Sequence, residues 1–402
     1  LSALVSTAGP RATQARAQAR PAAPPGSAEP APITPEPDRW RLMEPLGAGV
    51  KARNPHYDPY NPNVLKGDYP LLGDRVFFAA TATLDSIADF KRNLDFFESA
   101  RFRNIPYHEH NLVGQVTGVL ALELFHGDTV FAPKDWAIRV SPIIRFRCGD
   151  QNAIDHACGE DVRLLETFGE AKLFEIGETF DATAARLGLQ IFNSDFFGFI
   201  YNDVQPGARI FSEVARNQFK VNLAAFDRLN KEKLSGLNEF KRREHQVGVA
   251  SVQWDDFLFP GFNLLPNLVV NHDGVLAGTL EAYYLGFTSN GRLGLLNVNS
   301  AVYYVFGDTA ENTPNRQRQH ISAGMAFVQA AYPIHFITPR LAVAYATGDP
   351  DATDNDANGF DSIFDNVNFG GGQFSYLFGE KIQLGATTLL RGNSIFPSLR
   401  GA

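Results

Sequence analysis

The chain alternates apolar and polar side chains over short stretches that are separated by polar connections. In "DWAIRVSPIIRFRC", Trp136, Ile138 and Val140 share one side of an extended strand, and Arg139 and Ser141 share the other. Successive side chains of a β-strand point to opposite faces, so this period of two predicts a strand with one apolar and one charged face. The same alternation returns in "ARLGLQIF", "LNVNSAVYYVF" and "KIQLGATTLLR". The pattern therefore predicts an all-β protein.

The alternation predicts about fourteen strands. They lie near 76–88, 111–125, 135–147, 162–176, 183–193, 207–214, 217–229, 243–255, 263–271, 279–288, 293–306, 318–331, 335–348 and 380–391. The connections between them alternate between long polar segments and short turns, with 272–278 as the exception. Bacterial outer-membrane barrels combine short periplasmic turns with long external loops. The spacing therefore predicts an antiparallel transmembrane β-barrel.

Alternation alone leaves a second architecture open, because a soluble β-sandwich shows the same pattern with its apolar face turned to the core. Aromatic residues favour the barrel, since Trp136, Trp254, Tyr304 and Tyr332 lie at predicted strand ends or turns, where membrane girdles form. No run of eighteen apolar residues occurs in the 402-residue chain, which excludes spanning helices but not spanning strands. The net charge of −8 and the lack of a basic stripe exclude nucleic-acid binding.

The ends of the chain indicate export. Residues 1–19 are typical of the remnant of a signal peptide, with an ordinary tail as the alternative, and residues 20–56 are a Pro-rich periplasmic linker. Residues 57–402 form the predicted barrel, whose last strands are expected to be missing because the chain finishes on "IFPSLRGA". The predicted location is the outer membrane of a Gram-negative bacterium. In an exported chain, Cys148 and Cys158 are expected to form a disulfide within a polar loop.

Four segments carry a resemblance to a known group of proteins: "YDPYNPNVLKGDYPLLGD", "RLGLQIFNSDFFGFIYNDVQPGARIF", "NQFKVNLAAF" and "ATGDPDATDNDANGFDSIFD". They resemble bacterial outer-membrane β-barrel channels, especially the alginate-export-like group and related proteobacterial porins. The likeness covers residues 57–402. It implies a channel of about sixteen to eighteen strands in the full-length protein, with a charged lumen.

For a channel, the working residues are the polar ones that alternate with the apolar face and point into the lumen. Arg139, Arg145 and Arg147 form the sharpest cluster, and acidic residues on the next strand are expected to offset part of their charge. A modest electrostatic filter for small polar or anionic solutes is therefore predicted. The predicted lumen residues are Arg139, Arg145, Arg147, Glu166, Glu170, Lys172, Arg186, Gln190, Lys220, Asn222, Asn297, Asn299, Gln383 and Arg391.

The stretch "DNDANGFDSIFD" has the ligand spacing of an EF-hand loop, but strands rather than helices flank it. An outer loop that binds Ca²⁺ weakly through Asp354, Asp356, Asn358 and Asp365 is one interpretation, and a simple Asp/Asn/Gly turn is the other. No other cofactor is expected.

Common catalytic motifs are absent from the sequence, which predicts a protein that is not an enzyme. A calcium-dependent outer-membrane hydrolase and a soluble β-sandwich binding protein are the alternative functions. Outer-membrane lipid is an expected partner. The solute, the direction of transport and the oligomeric state are left open.

Overall fold

The computed structural model describes residues 64–92, 110–127, 133–152, 155–177, 181–232, 236–274, 279–310, 318–351 and 354–363, all within the compact unit 35–402. They form one sheet in which each strand from β1 to β14 pairs with the next along the chain, and β15 pairs with β13. The strands are β1 (Lys66–Leu72), β2 (Val76–Arg92), β3 (His110–His126), β4 (Trp136–Asn152), β5 (Asp155–Glu175), β6 (Ala182–Asn193), β7 (Asn202–Val214), β8 (Phe219–Lys231), β9 (Asn238–Trp254), β10 (Phe262–Asp273), β11 (Leu280–Leu293), β12 (Leu296–Thr309), β13 (Gln319–Ala331), β14 (Arg340–Ala346) and β15 (Asp356–Ala357).

The all-β, antiparallel prediction is confirmed, because β1 to β14 pair antiparallel throughout. Every predicted strand between 76 and 348 overlaps a strand of the structure. The sequence prediction missed β1 and β15, since β1 reads "KGDYPLL", and its Gly, Asp and Pro are residues that strands usually avoid. The predicted strand 380–391 and the segments 1–19 and 20–56 lie outside the described residues. Within the described sheet, β1 and β14 are edge strands that do not pair with each other.

The connections predicted to be long and those predicted to be short differ less in length than the sequence indicated. β4 and β5 continue as one hairpin and leave only 153–154 between them, where a long loop over 148–161 was predicted. The predicted connection 230–242 likewise shortens to 232–237. Backbone pairing needs no apolar face, so a hairpin can run on after its alternating pattern has ended. Below, the lower end of the sheet is where odd-numbered strands connect to the next strand, and the upper end is where even-numbered strands do.

The two faces of the sheet differ in character. The outer face exposes large apolar side chains on strand after strand, among them Leu84, Ile144, Leu187, Leu223, Leu285 and Val343. The inner face carries charged side chains on β3 to β8 and a buried hydrophobic cluster on β6 and β8 to β13. β5 and β9 approach within 8 Å although three strands separate them in the sheet, so the sheet is strongly curled. Among the described residues, none forms a helix with the length and hydropathy of a membrane span.

The predicted disulfide between Cys148 and Cys158 is confirmed, with a Cα–Cα distance of 4.1 Å. Its expected surroundings are corrected by the structure. The two cysteines are directly opposite residues on β4 and β5, so the bridge joins two paired strands and does not close a loop.

Candidate functional site: a charged inner face and an inner plug

Charged side chains of β3 to β5 meet on the inner face. Arg139 Nε lies 3.1 Å from a carboxylate oxygen of Glu166, and its Nη1 lies 3.7 Å from Glu123. Glu123 also forms an ion pair with Lys134. Higher on β4, Arg145 Nε donates to Thr117 Oγ1 at 3.3 Å. Acidic neighbours therefore offset the charge of Arg139 on this wall.

A second group crosses β5 to β8 laterally. Arg186 Nε donates to Glu170 at 2.8 Å, and Arg209 Nε donates to Asn222 Oδ1 at 2.9 Å. Arg186 and Arg209 are opposite residues on β6 and β7, which places the two guanidinium groups side by side. Each also stacks on a ring, Arg186 over Phe168 at 4.2 Å and Arg209 over Phe211 at 4.6 Å from the ring centroid. Pairing and stacking fix both guanidinium planes, so β6 and β7 carry a rigid basic patch.

The lower end of this wall has its own ion pairs. Lys172 Nζ lies 2.7 Å from Asp135 and 2.6 Å from Glu175. Asp135 is also 2.8 Å from His126 Nδ1. The hydrogen bond from Lys172 holds the pKa of Asp135 below its ordinary value, against the opposing effect of burial, and the hydrogen bond with His126 acts in the same direction as Lys172.

A buried polar network occupies the inner face of β7 to β10 towards the upper end. Lys231 Nζ lies 2.6 Å from Asp203, and Arg228 lies 3.5 Å from the same carboxylate. Arg228 also reaches His245 Nδ1 at 3.2 Å, and that nitrogen lies 2.9 Å from Asp273. Charges removed from water require such partners, so this network is a fixed part of the wall.

The connection between β6 and β7 folds onto the inner face, where a polar outer loop over 194–206 was predicted. The buried carboxylate of Asp195 accepts backbone N–H groups of residues 197–200 at 2.7–3.2 Å. Gly198 has a φ of 75°, a conformation that glycine adopts without strain in this tight turn. Burial raises the pKa of the Asp195 carboxyl, and the hydrogen bonds from the backbone N–H groups oppose that effect.

Side chains of the sheet hold this segment in place from the far side. The Nδ2 group of Asn267 on β10 donates to the Ser194 carbonyl at 2.8 Å. Phe197 and Phe199 pack against Phe327 on β13, with ring centroids 6.0 and 5.1 Å apart. The segment therefore bridges from its own strands to β13 across the inner side.

The acidic stretch near the end of the described chain packs against the same segment. The Ile363 N–H donates to the Ile200 carbonyl at 3.1 Å, and the Tyr284 hydroxyl donates to the Asp361 carbonyl at 3.0 Å. The Phe360 side chain is fully buried in the hydrophobic cluster. We call residues 194–201 and 354–363 together the inner plug.

The predicted calcium loop is thus part of the inner plug rather than an outer loop. Asp354 and Asp356 are exposed, and the Asp356 N–H donates to Asp354 Oδ1 at 2.9 Å. The Asn358 carbonyl accepts the Thr347 hydroxyl at 2.6 Å, and Asp365 lies outside the described residues. In the described part of the chain, no three His, Cys, Asp or Glu residues are grouped as a metal site would require. Calcium binding stays a prediction.

Lateral rows of paired residues show how the outer face changes from one end to the other. The highest row crosses β8 to β13 and is polar: Asp227, Gln246, His272, Glu281, Asp308 and His320. Two residues lower on each strand the row is mostly apolar: Ala225, Gly248, Val270, Tyr283, Phe306 and Ser322. The next row has no charge: Leu223, Ala250, Leu268, Leu285, Tyr304 and Gly324. We call the highest row the polar belt.

The described lumen candidates all lie on the inner face: Arg139, Arg145, Arg147, Glu166, Glu170, Lys172, Arg186, Gln190, Lys220, Asn222, Asn297 and Asn299. Gln383 and Arg391 lie outside the described residues. Glu170 was expected to pair with the arginines of β4. In the structure it pairs with Arg186 instead. Leu189 has the same parity on β6 as the exposed Leu187, yet it is only 5% exposed.

Sequence reasoning missed Arg209 and the inner plug. Arg209 lies in a correctly predicted strand, but no face was assigned to it. The signal for the plug was available, because "SDFFGFIY" places five large apolar residues within a predicted polar loop. The network around Asp203 and Arg228 had no such signal, since its members come from four strands.

Neither a protein-family model nor a curated protein matches the chain. Among solved structures, the low-pH structure of OprB from Pseudomonas putida is similar over 68% of this chain and 88% of that chain, with a TM-score of 0.27 and 12% sequence identity. A likeness this distant defines neither a substrate nor a mechanism.

Proposed function

We propose that the chain is an outer-membrane channel that passes small polar or anionic solutes along its charged inner face. The observation that carries this proposal is the reversal of the faces. Leu187 is 69% exposed and Leu285 is 55% exposed on the outer face, while the arginines of β4, β6 and β7 lie inside. A soluble β-sandwich buries its apolar face, whereas a membrane barrel turns that face to lipid.

The inner face favours anions modestly. Arg186 and Arg209 supply neighbouring, fixed guanidinium groups, while Glu166 and Glu170 each hold an arginine in an ion pair. Charges that line a pore determine which ions pass, and partial compensation weakens the preference. In this proposal, the resemblance to the alginate-export-like group serves only to choose the solutes that are tested.

The inner plug controls the open cross-section in this proposal. Its aromatic side chains fill the inner side against β8 to β13, which leaves the charged wall of β3 to β7 as the polar path. A larger solute therefore requires the plug to move.

The hydrolase alternative needs a serine beside a histidine. The buried His245 contacts Arg228, Asn271 and Asp273 instead. In the described part of the inner face, His245 therefore has no serine partner of the kind that the hydrolase needs.

The test is single-channel recording of the purified full chain in a planar bilayer, with a salt gradient to obtain the reversal potential. We expect discrete conductance steps with a modest anion preference. A folded protein that inserts into the bilayer and never conducts would refute the channel.

A further inference from the structure

Three turns in the described part of the lower end expose large apolar residues. Between β9 and β14, the turns 255–261, 294–295 and 332–339 expose Leu258, Phe259, Leu295, Ile334, Phe336 and Ile337. Phe336 is 93% exposed. The turn 215–218 at the same end reads "ARNQ", and all four residues are exposed. We call the six apolar residues the apolar rim.

We propose that the apolar rim inserts into the headgroup–acyl boundary of the bilayer leaflet at the lower end and anchors this side of the barrel, an inference that rests on the proposed function. The rim is continuous with the apolar outer face. On β12, outward residues run without a charge from Phe306 down to Leu296, where the turn with Leu295 begins.

The register places the rim at the right depth. From Asp308 in the polar belt to Val298 there are ten residues, or about 33 Å along the strand at about 3.3 Å per residue. With a strand tilt of about 35–45°, the height is about 23–27 Å, which matches the apolar band of about 25 Å in outer-membrane barrels. With the polar belt at one boundary of the hydrocarbon region, the other boundary falls at the row of Val298.

The rim lies just beyond the lower boundary. Leu295 is three residues past Val298, which adds about 7–8 Å of height at the same rise and tilt. Amphipathic segments at a membrane surface bury their apolar side about 5–10 Å into the headgroup–acyl boundary.

The test places an environment-sensitive fluorophore on single new cysteines of the full chain, since Cys148 and Cys158 are joined to each other. Phe336→Cys and Leu295→Cys probe the rim. Leu285→Cys, in the apolar rows, is the control for lipid contact, and Gln218→Cys, in the polar turn, is the control for water contact. The protein is reconstituted into phosphatidylethanolamine–phosphatidylglycerol vesicles that contain a lipid with a nitroxide close to the headgroup.

We expect the shallow nitroxide to remove at least half of the emission at the two rim positions and little of the emission at position 218. Aqueous iodide should show the opposite order. Rim labels that iodide quenches as strongly as position 218 would overturn the proposal, and so would rim labels shielded from both quenchers, because a protein partner or a second copy would then cover them. If the protein conducts but the shallow nitroxide does not quench the rim labels, the membrane anchor is rejected and the channel is not. A label at position 285 that aqueous iodide quenches as strongly as the label at position 218, together with no conductance, rejects the channel.

Discussion

Replacing Asp195 by alanine should release the inner plug. The carboxylate accepts the backbone N–H groups of four residues, 197–200, in a buried turn. Alanine removes all of these acceptors at once and leaves the four N–H groups buried without them. The closed position of the plug should lose stability relative to any position in which water reaches the segment.

The size of the effect follows from the hydrogen bonds. Hydrogen bonds to a charged group contribute about 1.5–3 kcal/mol each, so four of them amount to about 6 kcal/mol at the lower bound. When the segment moves out, water in the lumen replaces some of these bonds. We therefore take half of the total, about 3 kcal/mol, as the stability that the closed position loses. Since about 1.4 kcal/mol corresponds to a factor of ten in an equilibrium constant, the ratio of open to closed plug should rise about a hundredfold.

Single-channel recording of Asp195→Ala in a planar bilayer measures this ratio as the open fraction and its conductance. Asp181→Ala is the matched control, because Asp181 is also buried and accepts the Arg216 N–H at 3.0 and 2.9 Å, but it lies at the lower end away from the plug. Asp195→Asn, which keeps one acceptor oxygen, should fall between parent and alanine. A folded Asp195→Ala protein with the parent's open fraction would show that the plug does not gate the path.

Three further predictions concern the wall, the disulfide and pH. Joint replacement of Arg139, Arg145 and Arg147 by glutamine should lower the anion preference, most strongly at 0.01 M salt, where the Debye length is about 30 Å. Arg242→Gln, on the outer face, should leave the anion preference unchanged. Equal reversal potentials for the triple variant and the parent would contradict this prediction. A non-reduced digest should contain Cys148 linked to Cys158, and Cys158→Ser should lower the free energy of unfolding by up to about 3 kcal/mol; two free thiols would refute the bridge. Lys172 lowers the pKa of Asp135 in the folded protein, so their contact stabilises the fold above the unfolded pKa of Asp135. This stabilisation is lost as the pH falls through the folded pKa of Asp135. Asp135→Asn should therefore flatten the acid side of the Tm–pH curve. Identical acid sides for parent and variant would contradict that assignment.

The period of two determined the strands and their faces from local information alone. At each strand, side chains alternate by geometry, so Arg139 and Ile138 had to point in opposite directions wherever the strand ended up. The same argument put Arg186 and Leu187 on opposite faces. The ends of hairpins escaped it, because the polar tips of β4 and β5 pair through their backbones without an apolar face.

Only the tertiary structure decided which partners these side chains have. The choice of Arg186 as the partner of Glu170 depends on the register of β5 against β6, which a period of two does not specify beyond its parity. The inner plug depends on contacts between residues far apart in the chain, such as Ile363 with Ile200 and Phe199 with Phe327. Local periodicity is a property of one strand, whereas register and inward folding depend on the energies of long-range contacts, and those exist only once the sheet has curled.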